Sequence, residues 1–155
     1  RLEMLKILNL SHSHDLTQTP DFSNLPNLEK LVLADCKMLS EISNSIGDLK
    51  KILLISLEDC ISLRSLPRSI YKLKSLKTLN ISGCSMIDRL EDDLEQMDSL
   101  TNLIANNTAI TRVPFSIMYH TVVPTSYHRF PCTFQVFEVF GWSAAQNFNF
   151  LGMQQ

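Results

Sequence analysis

One spacing governs this chain. Leu5, Leu28, Ile52, Leu76 and Leu100 follow one another at steps of 23, 24, 24 and 24 residues. Each opens the same pattern, L-x-x-L-x-L: "LKILNL", "LEKLVL", "ILLISL", "LKTLNI" and "LTNLIA". Three residues after its last apolar position stand Ser13, Cys36, Cys60, Cys84 and Thr108. Apolar pairs come next (Leu39 and Ile42, Leu63 and Leu66, Ile87 and Leu90, Ile110 and Val113), and a further column holds Phe22, Ile46, Ile70, Leu94 and Ile117. A unit this short cannot bury its own apolar face. Stacked units can, because each leucine lands on its counterpart in the coil before.

The L-x-L portion alternates, so it predicts a short strand, and strands of successive coils pair in parallel. The later part, such as "RSIYKLKSL" or "DDLEQMDSL", has i, i+3 apolar spacing and predicts a short helix or 3₁₀ turn on the outside. The expected fold is an α/β leucine-rich-repeat solenoid with parallel strands on the concave face and short helices or 3₁₀ turns on the convex face. About five coils are expected over residues 1–117, followed by a non-repeat tail, 118–155.

The whole chain sets bounds. Its 155 residues, 45% apolar and 19% charged, suit one globular domain. A net charge of −2 gives no electrostatic pull toward nucleic acid or an anionic membrane, and neither is expected as a partner. No apolar run reaches the roughly 18 residues of a membrane span. The opening "RLEMLKILNL" has neither an initiator Met nor a signal-peptide pattern, and reads as an internal piece of something longer or an incomplete gene model.

Ser13, Cys36, Cys60, Cys84 and Thr108 form a structural inward column, the slot where such repeats carry Asn or Cys. A small, easily buried side chain with weak donor character suits a bend just after the strand. Stacked identical positions point their side chains in parallel, which disfavours disulfides. Paired C-x₂₋₄-C spacing for zinc is absent. Unpaired buried thiols fit a reducing compartment. In "SHSHD", His12, His14 and Asp15 invite a metal reading, but no further ligand recurs nearby in sequence, so a solvated rim loop is expected and no metal site assigned. His120 and His128 have no evident partner. No P-loop, G-x-G-x-x-G or G-x-S-x-G is present. Neither a cofactor nor catalytic residues are expected.

The charges follow the coils. A 24-residue shift lays Arg64 over Asp88, Arg68 over Asp92 and Lys74 over Asp98, with Asp48 preceding Lys72. These read as inter-coil ladders on the solvated outer face. The outward strand positions form three columns: Ile7, Lys30, Leu54, Thr78, Asn102; then Asn9, Val32, Ser56, Asn80, Ile104; then Ser11, Ala34, Glu58, Ser82, Asn106. This is the candidate binding face, mixed and weakly charged. Asn9, Asn80 and Asn106 also begin N-x-[ST] triplets, which are read as accidental because they fall within or just after strands.

After Ile117 the pattern stops. Residues 118–155 hold nine of the twelve aromatic residues and two charges, Arg129 and Glu138. "TFQVFEVF" alternates weakly and suggests an edge strand. The tail reads as an alternative or out-of-frame continuation, or as a sticky segment covering the last coil.

The run "LKILNLSHSHDLTQTPDFSNLPNLEKLVLADCKMLSEI", then "LEDCISLRSLPRSIYKLKSLKTLNISGCS" and "LIANNTAITRVPFSI", resembles the repeats of plant TIR-type nucleotide-binding leucine-rich-repeat disease resistance proteins. The matching features are the Cys column, the C-x-x-L-x-x-L-P step from Cys60 to Pro67, the "SGCS" from Ser82 to Ser85, and the shortened "NNTAI" coil ending at Pro114. The resemblance implies a recognition module that senses a pathogen effector or a guarded host protein and restrains the receptor's own nucleotide-binding domain, in the cytoplasm or nucleus. It also implies that NAD hydrolysis and ADP or ATP binding belong to domains outside these residues. The alternatives are the ectodomain of a cell-surface leucine-rich-repeat receptor, a general repeat scaffold, and a piece of an enzyme whose chemistry lies elsewhere.

Overall fold

The computed structural model describes residues 2–111. The expected edge strand in "TFQVFEVF", the boundary near residue 117, Val113, Ile117, His120 and His128 lie outside the described residues.

Five short strands form one parallel sheet in chain order: β1 (Ile7–Asn9), β2 (Lys30–Val32), β3 (Leu54–Ser56), β4 (Thr78–Asn80) and β5 (Asn102–Ile104). The register is that of the repeat. Ile7 pairs with Lys30, Lys30 with Leu54, Leu54 with Thr78 and Thr78 with Asn102. Neighbouring strands are a full coil apart in sequence, so each connection is a crossover, as parallel pairing requires.

The hydrogen-bonded ladder runs past the strand ends. Leu10, Leu33, Leu57 and Ile81 donate their N–H to Val32, Ser56, Asn80 and Ile104 of the next coil, at 2.7–2.8 Å. Two residues later, His12, Asp35, Asp59 and Gly83 donate to Ala34, Glu58, Ser82 and Asn106, each at 2.8 Å. There the chain turns through the left-handed region: φ is 63° at His12, 58° at Asp35, 59° at Asp59, 75° at Gly83 and 54° at Asn107. Gly and short polar residues tolerate that conformation best. The column His, Asp, Asp, Gly, Asn is the sequence cause of the turn.

Among the described residues, three five-residue 3₁₀ helices lie on the opposite side, Asn44–Asp48, Arg68–Lys72 and Asp92–Gln96. Their C-terminal caps repeat: Leu49, Leu73 and Met97 donate back to Ile46, Ile70 and Leu94. No α-helix occurs among the described residues. The first coil lacks even the 3₁₀ helix. A bridge aligns Gln18 with Glu41, and between this point and the Phe22/Ile46 slot the first coil is one residue short. Asp21 instead caps a turn, its carboxylate accepting from Ser23 N–H at 2.9 Å and Ser23 Oγ at 2.6 Å.

Between sheet and outer turns the described residues share one core. Leu31, Ile55, Leu79 and Leu103 from the strand centres are fully buried, as are Leu33, Leu57 and Ile81 just after them. Phe22, Ile46, Ile70 and Leu94 form the far wall. The first coil has no neighbour on one side in the described structure, and its Leu5, Leu8, Leu10 and Leu16 are only half-buried.

Candidate functional site

Strand alternation fixes which side chains leave the sheet. The central residue of each strand enters the core, and its flanking residues point away, to the face proposed below for recognition. Ile7, Asn9, Lys30, Asn102 and Glu58 are exposed there, while Val32, Ala34, Leu54, Ser56, Thr78, Asn80, Ser82, Ile104 and Asn106 are half-buried by neighbours in the same columns. Charge on this face is sparse. Polar members also shape the turns. Asn9 Oδ1 accepts from Ser11 N–H at 3.0 Å and Ser11 Oγ at 2.6 Å, and Asn80 Oδ1 accepts from Ser82 N–H at 3.0 Å. Asn106 Oδ1 is buried without a hydrogen-bond partner, as is Ser82 Oγ.

Behind that face runs the inward column. Cys36, Cys60 and Cys84 are free and wholly buried, Thr108 is buried, and Ser13 is half-buried. Each thiol reaches back one coil: Cys36 Sγ donates to Leu10 O at 3.2 Å, Cys60 Sγ to Leu33 O at 3.1 Å and Cys84 Sγ to Leu57 O at 3.0 Å. Thr108 Oγ1 stays within its own coil, donating to Ala105 O at 3.0 Å. Burial pushes the thiols of Cys60 and Cys84 up to about 12, and that of Cys36 upward. A thiol held this firmly protonated is a poor nucleophile and a poor metal ligand.

The rim loops on either side of the inward column bring His12 and His14, noted in the sequence, to Asp35, which was not. His12 Nδ1 lies 2.8 Å from Asp35 Oδ2, and His14 Nε2 lies 3.2 Å from the same oxygen. Lys37 Nζ approaches the other oxygen, Oδ1, at 3.6 Å. Hydrogen bonds from His12 first and His14 second hold the Asp35 carboxyl down at about 2. Asp35 sits one coil beyond His12, at the same left-handed slot, so the stacking that pairs Ile7 with Lys30 also brings these side chains together. The available signal was the 23-residue step from His12 to Asp35. Along the same rim Met38, Ile61 and Met86 are exposed, at 55%, 45% and 41%.

The outer charges correct one expectation. Lys74 Nζ pairs with Asp98 Oδ2 at 3.4 Å and also reaches Gln96 O. Arg64 with Asp88, Arg68 with Asp92 and Asp48 with Lys72 do not pair among the described residues. Arg89 turns instead to Glu91 of its own coil at 3.6 Å, and Lys6 meets Glu29 across coils at 2.9 Å. Long exposed side chains gain about 0–1 kcal/mol from pairing and lose conformational freedom, so register alone does not close a ladder.

Sheet, thiol column and outer 3₁₀ helices together define the chain as a leucine-rich-repeat solenoid. Its repeats are similar to those of plant TIR-type nucleotide-binding leucine-rich-repeat disease resistance proteins. The disease resistance protein RUN1 of Vitis rotundifolia is 50% identical over 50 residues, which is 32% of this chain and 4% of that protein. The TMV resistance protein N of Nicotiana glutinosa is 42% identical over 52 residues, 34% of this chain and 4% of that protein. The chain thus matches only a small part of the length of these relatives. Among solved structures, the leucine-rich repeat domain of the type III effector XopL superposes with a TM-score of 0.60 at 24% identity, covering 77% of this chain and 38% of that one. No family model matches the chain. No helix among the described residues is long and apolar enough to cross a membrane.

Proposed function

We propose that these repeats are a non-catalytic protein-recognition segment of a plant intracellular immune receptor, with the outward columns of the sheet as the contact surface. The observation that carries this reading is the sheet itself. Five strands in unbroken register hold Val32, Leu54 and Ile104 among mostly polar neighbours on one continuous surface. The partner is a protein: a pathogen effector, a guarded host protein or the receptor's own nucleotide-binding domain. Nucleic acid and membrane are not partners, and the site of action is the cytoplasm or nucleus. Enzymatic steps of such a receptor, NAD hydrolysis and nucleotide binding, belong to its other domains. Similarity to the resistance proteins supports the defence role. The buried, protonated thiols suit a reducing compartment. Two of the three glycosylation triplets serve turns in this fold, since Asn9 and Asn80 accept from Ser11 N–H and Ser82 N–H.

The test is a full-length receptor carrying this segment, expressed in leaf tissue. Leu54→Glu with Ile104→Glu on the outward face is expected to alter the defence response, by releasing restraint or abolishing sensing, at unchanged protein level. Arg68→Ala with Lys72→Ala on the outer side is expected to leave it unchanged. An outward-face variant that accumulates normally and signals as wild type overturns the assignment.

A further inference from the structure

We propose that His12, His14 and Asp35 bind one divalent transition-metal ion of zinc's class, clamping the first coil to the second. One donor atom from each of the three residues lies within 4.8 Å of the other two, and His12 Nδ1 and His14 Nε2 both face Asp35 Oδ2. Two imidazoles and a carboxylate are a donor set that Zn²⁺, Ni²⁺ and Co²⁺ favour over Mg²⁺ or Ca²⁺. Three protein ligands leave the remaining positions to water.

The backbone preorganises this arrangement. His12 sits at the left-handed turn, φ 63°, with its N–H fixed to Ala34 O at 2.8 Å, and Asp35 occupies the same turn one coil on, its N–H fixed to Glu58 O at 2.8 Å. The ladder therefore sets the gap the ion spans. In a tetrahedral site with bonds of about 2.0–2.1 Å, ligand atoms stand about 3.3 Å apart. The two imidazole–carboxylate separations, 2.8 and 3.2 Å, are already near that value. Only the two ring nitrogens must draw together, and both rings are exposed and free to rotate, their planes 87° apart. An entering ion replaces two hydrogen bonds that converge on one oxygen. Lys37, on the other carboxylate oxygen, stays where it is. Other described coils do not repeat the set: the same slot holds Asp59, Gly83 and Asn107, without histidine two residues on.

The experiment is calorimetric titration of the tag-free 155-residue chain with ZnCl₂ and NiCl₂, with thermal unfolding followed by circular dichroism. Wild type is expected to bind one ion and to unfold at higher temperature with zinc, because the assembled site holds the ion more tightly than the unfolded chain does. His14→Ala and Asp35→Asn are expected to weaken binding at least tenfold and to abolish the zinc-dependent rise. Asn suits the left-handed turn, so Asp35→Asn keeps the fold, which the metal-free melt checks. No binding by wild type overturns the proposal. So does binding undiminished in both variants, which places the ion elsewhere on the chain.

Discussion

Replacing Leu79 by alanine cuts an isobutyl group to a methyl in the middle of the stack. Leu79 is fully buried in β4, between Ile55 of the preceding coil and Leu103 of the following one. At about 0.8 kcal/mol per buried methylene, the transfer loss is about 2.4 kcal/mol. With a coil on either side the void cannot collapse, and roughly 50 Å³ of it adds about 1 kcal/mol. The expected cost is about 3.5 kcal/mol. Leu8 fills the same slot in β1 but is half-buried, with a neighbour on one side only among the described residues. Its truncation loses about half the transfer energy and leaves an open notch, so about 1 kcal/mol is expected. Urea unfolding of the full chain, followed by far-UV circular dichroism, measures both. Stacking as the source of stability requires Leu79→Ala to cost at least twice as much as Leu8→Ala. Equal costs, or a Leu79→Ala variant within 1 kcal/mol of wild type, refute it.

Three further outcomes are expected. The folded thiols of Cys60 and Cys84 titrate near 12, against 9.0 ordinarily, so the folded state holds its protons longer than the unfolded one. Their contribution is complete below about pH 9 and falls toward pH 12, by up to about 1.4 kcal/mol per pH unit per thiol. A Cys60→Ala, Cys84→Ala variant should lose stability less steeply over that range than wild type, and parallel slopes in urea unfolding contradict the assignment. Gly83→Ala places a methyl 1.9 Å from Asp59 Oδ1 at φ +75°, and should cost more than about 1 kcal/mol, with part regained in an Asp59→Ser background. No recovery there assigns the whole cost to the backbone. Lys74 and Asp98, both more than half exposed, should show a coupling below about 1 kcal/mol in a double-mutant cycle that shrinks further in 1 M salt.

The architecture was legible because the apolar slots repeat in linear order, and each slot has one destination in a parallel stack. Leu31, Ile55, Leu79 and Leu103 could enter the core only together. What escaped depends on loops and on individual side chains. The column His12, Asp35, Asp59, Gly83, Asn107 shares a conformation rather than a residue type, so hydrophobic pattern does not mark it. The closeness of His12 to Asp35 requires knowing that rim loops stack in the strand register. Tyr71 stands where neighbouring coils carry Gly47 and Glu95, yet it is 2% exposed, with its hydroxyl accepting from Glu91 N–H at 3.2 Å. Charge register predicted ladders, but three of the four expected pairs stay open, because a solvated cation gains little by choosing one carboxylate.

The backbone ladder joins coil two to coil three through the same slots that join three to four: Lys30 meets Leu54 as Leu54 meets Thr78, 24 residues apart. A cut that removes residues 59–82 would join Glu58 to Gly83, put a left-handed glycine where Asp59 had been, and give the thiol of Cys84 the carbonyl of Leu33. A cut a few residues shorter or longer would drive loop polar groups into the leucine stack. Such a chain changes length in whole coils, so a gene encoding it can gain or lose strand-bearing surface by recombination between its own repeats while the fold survives.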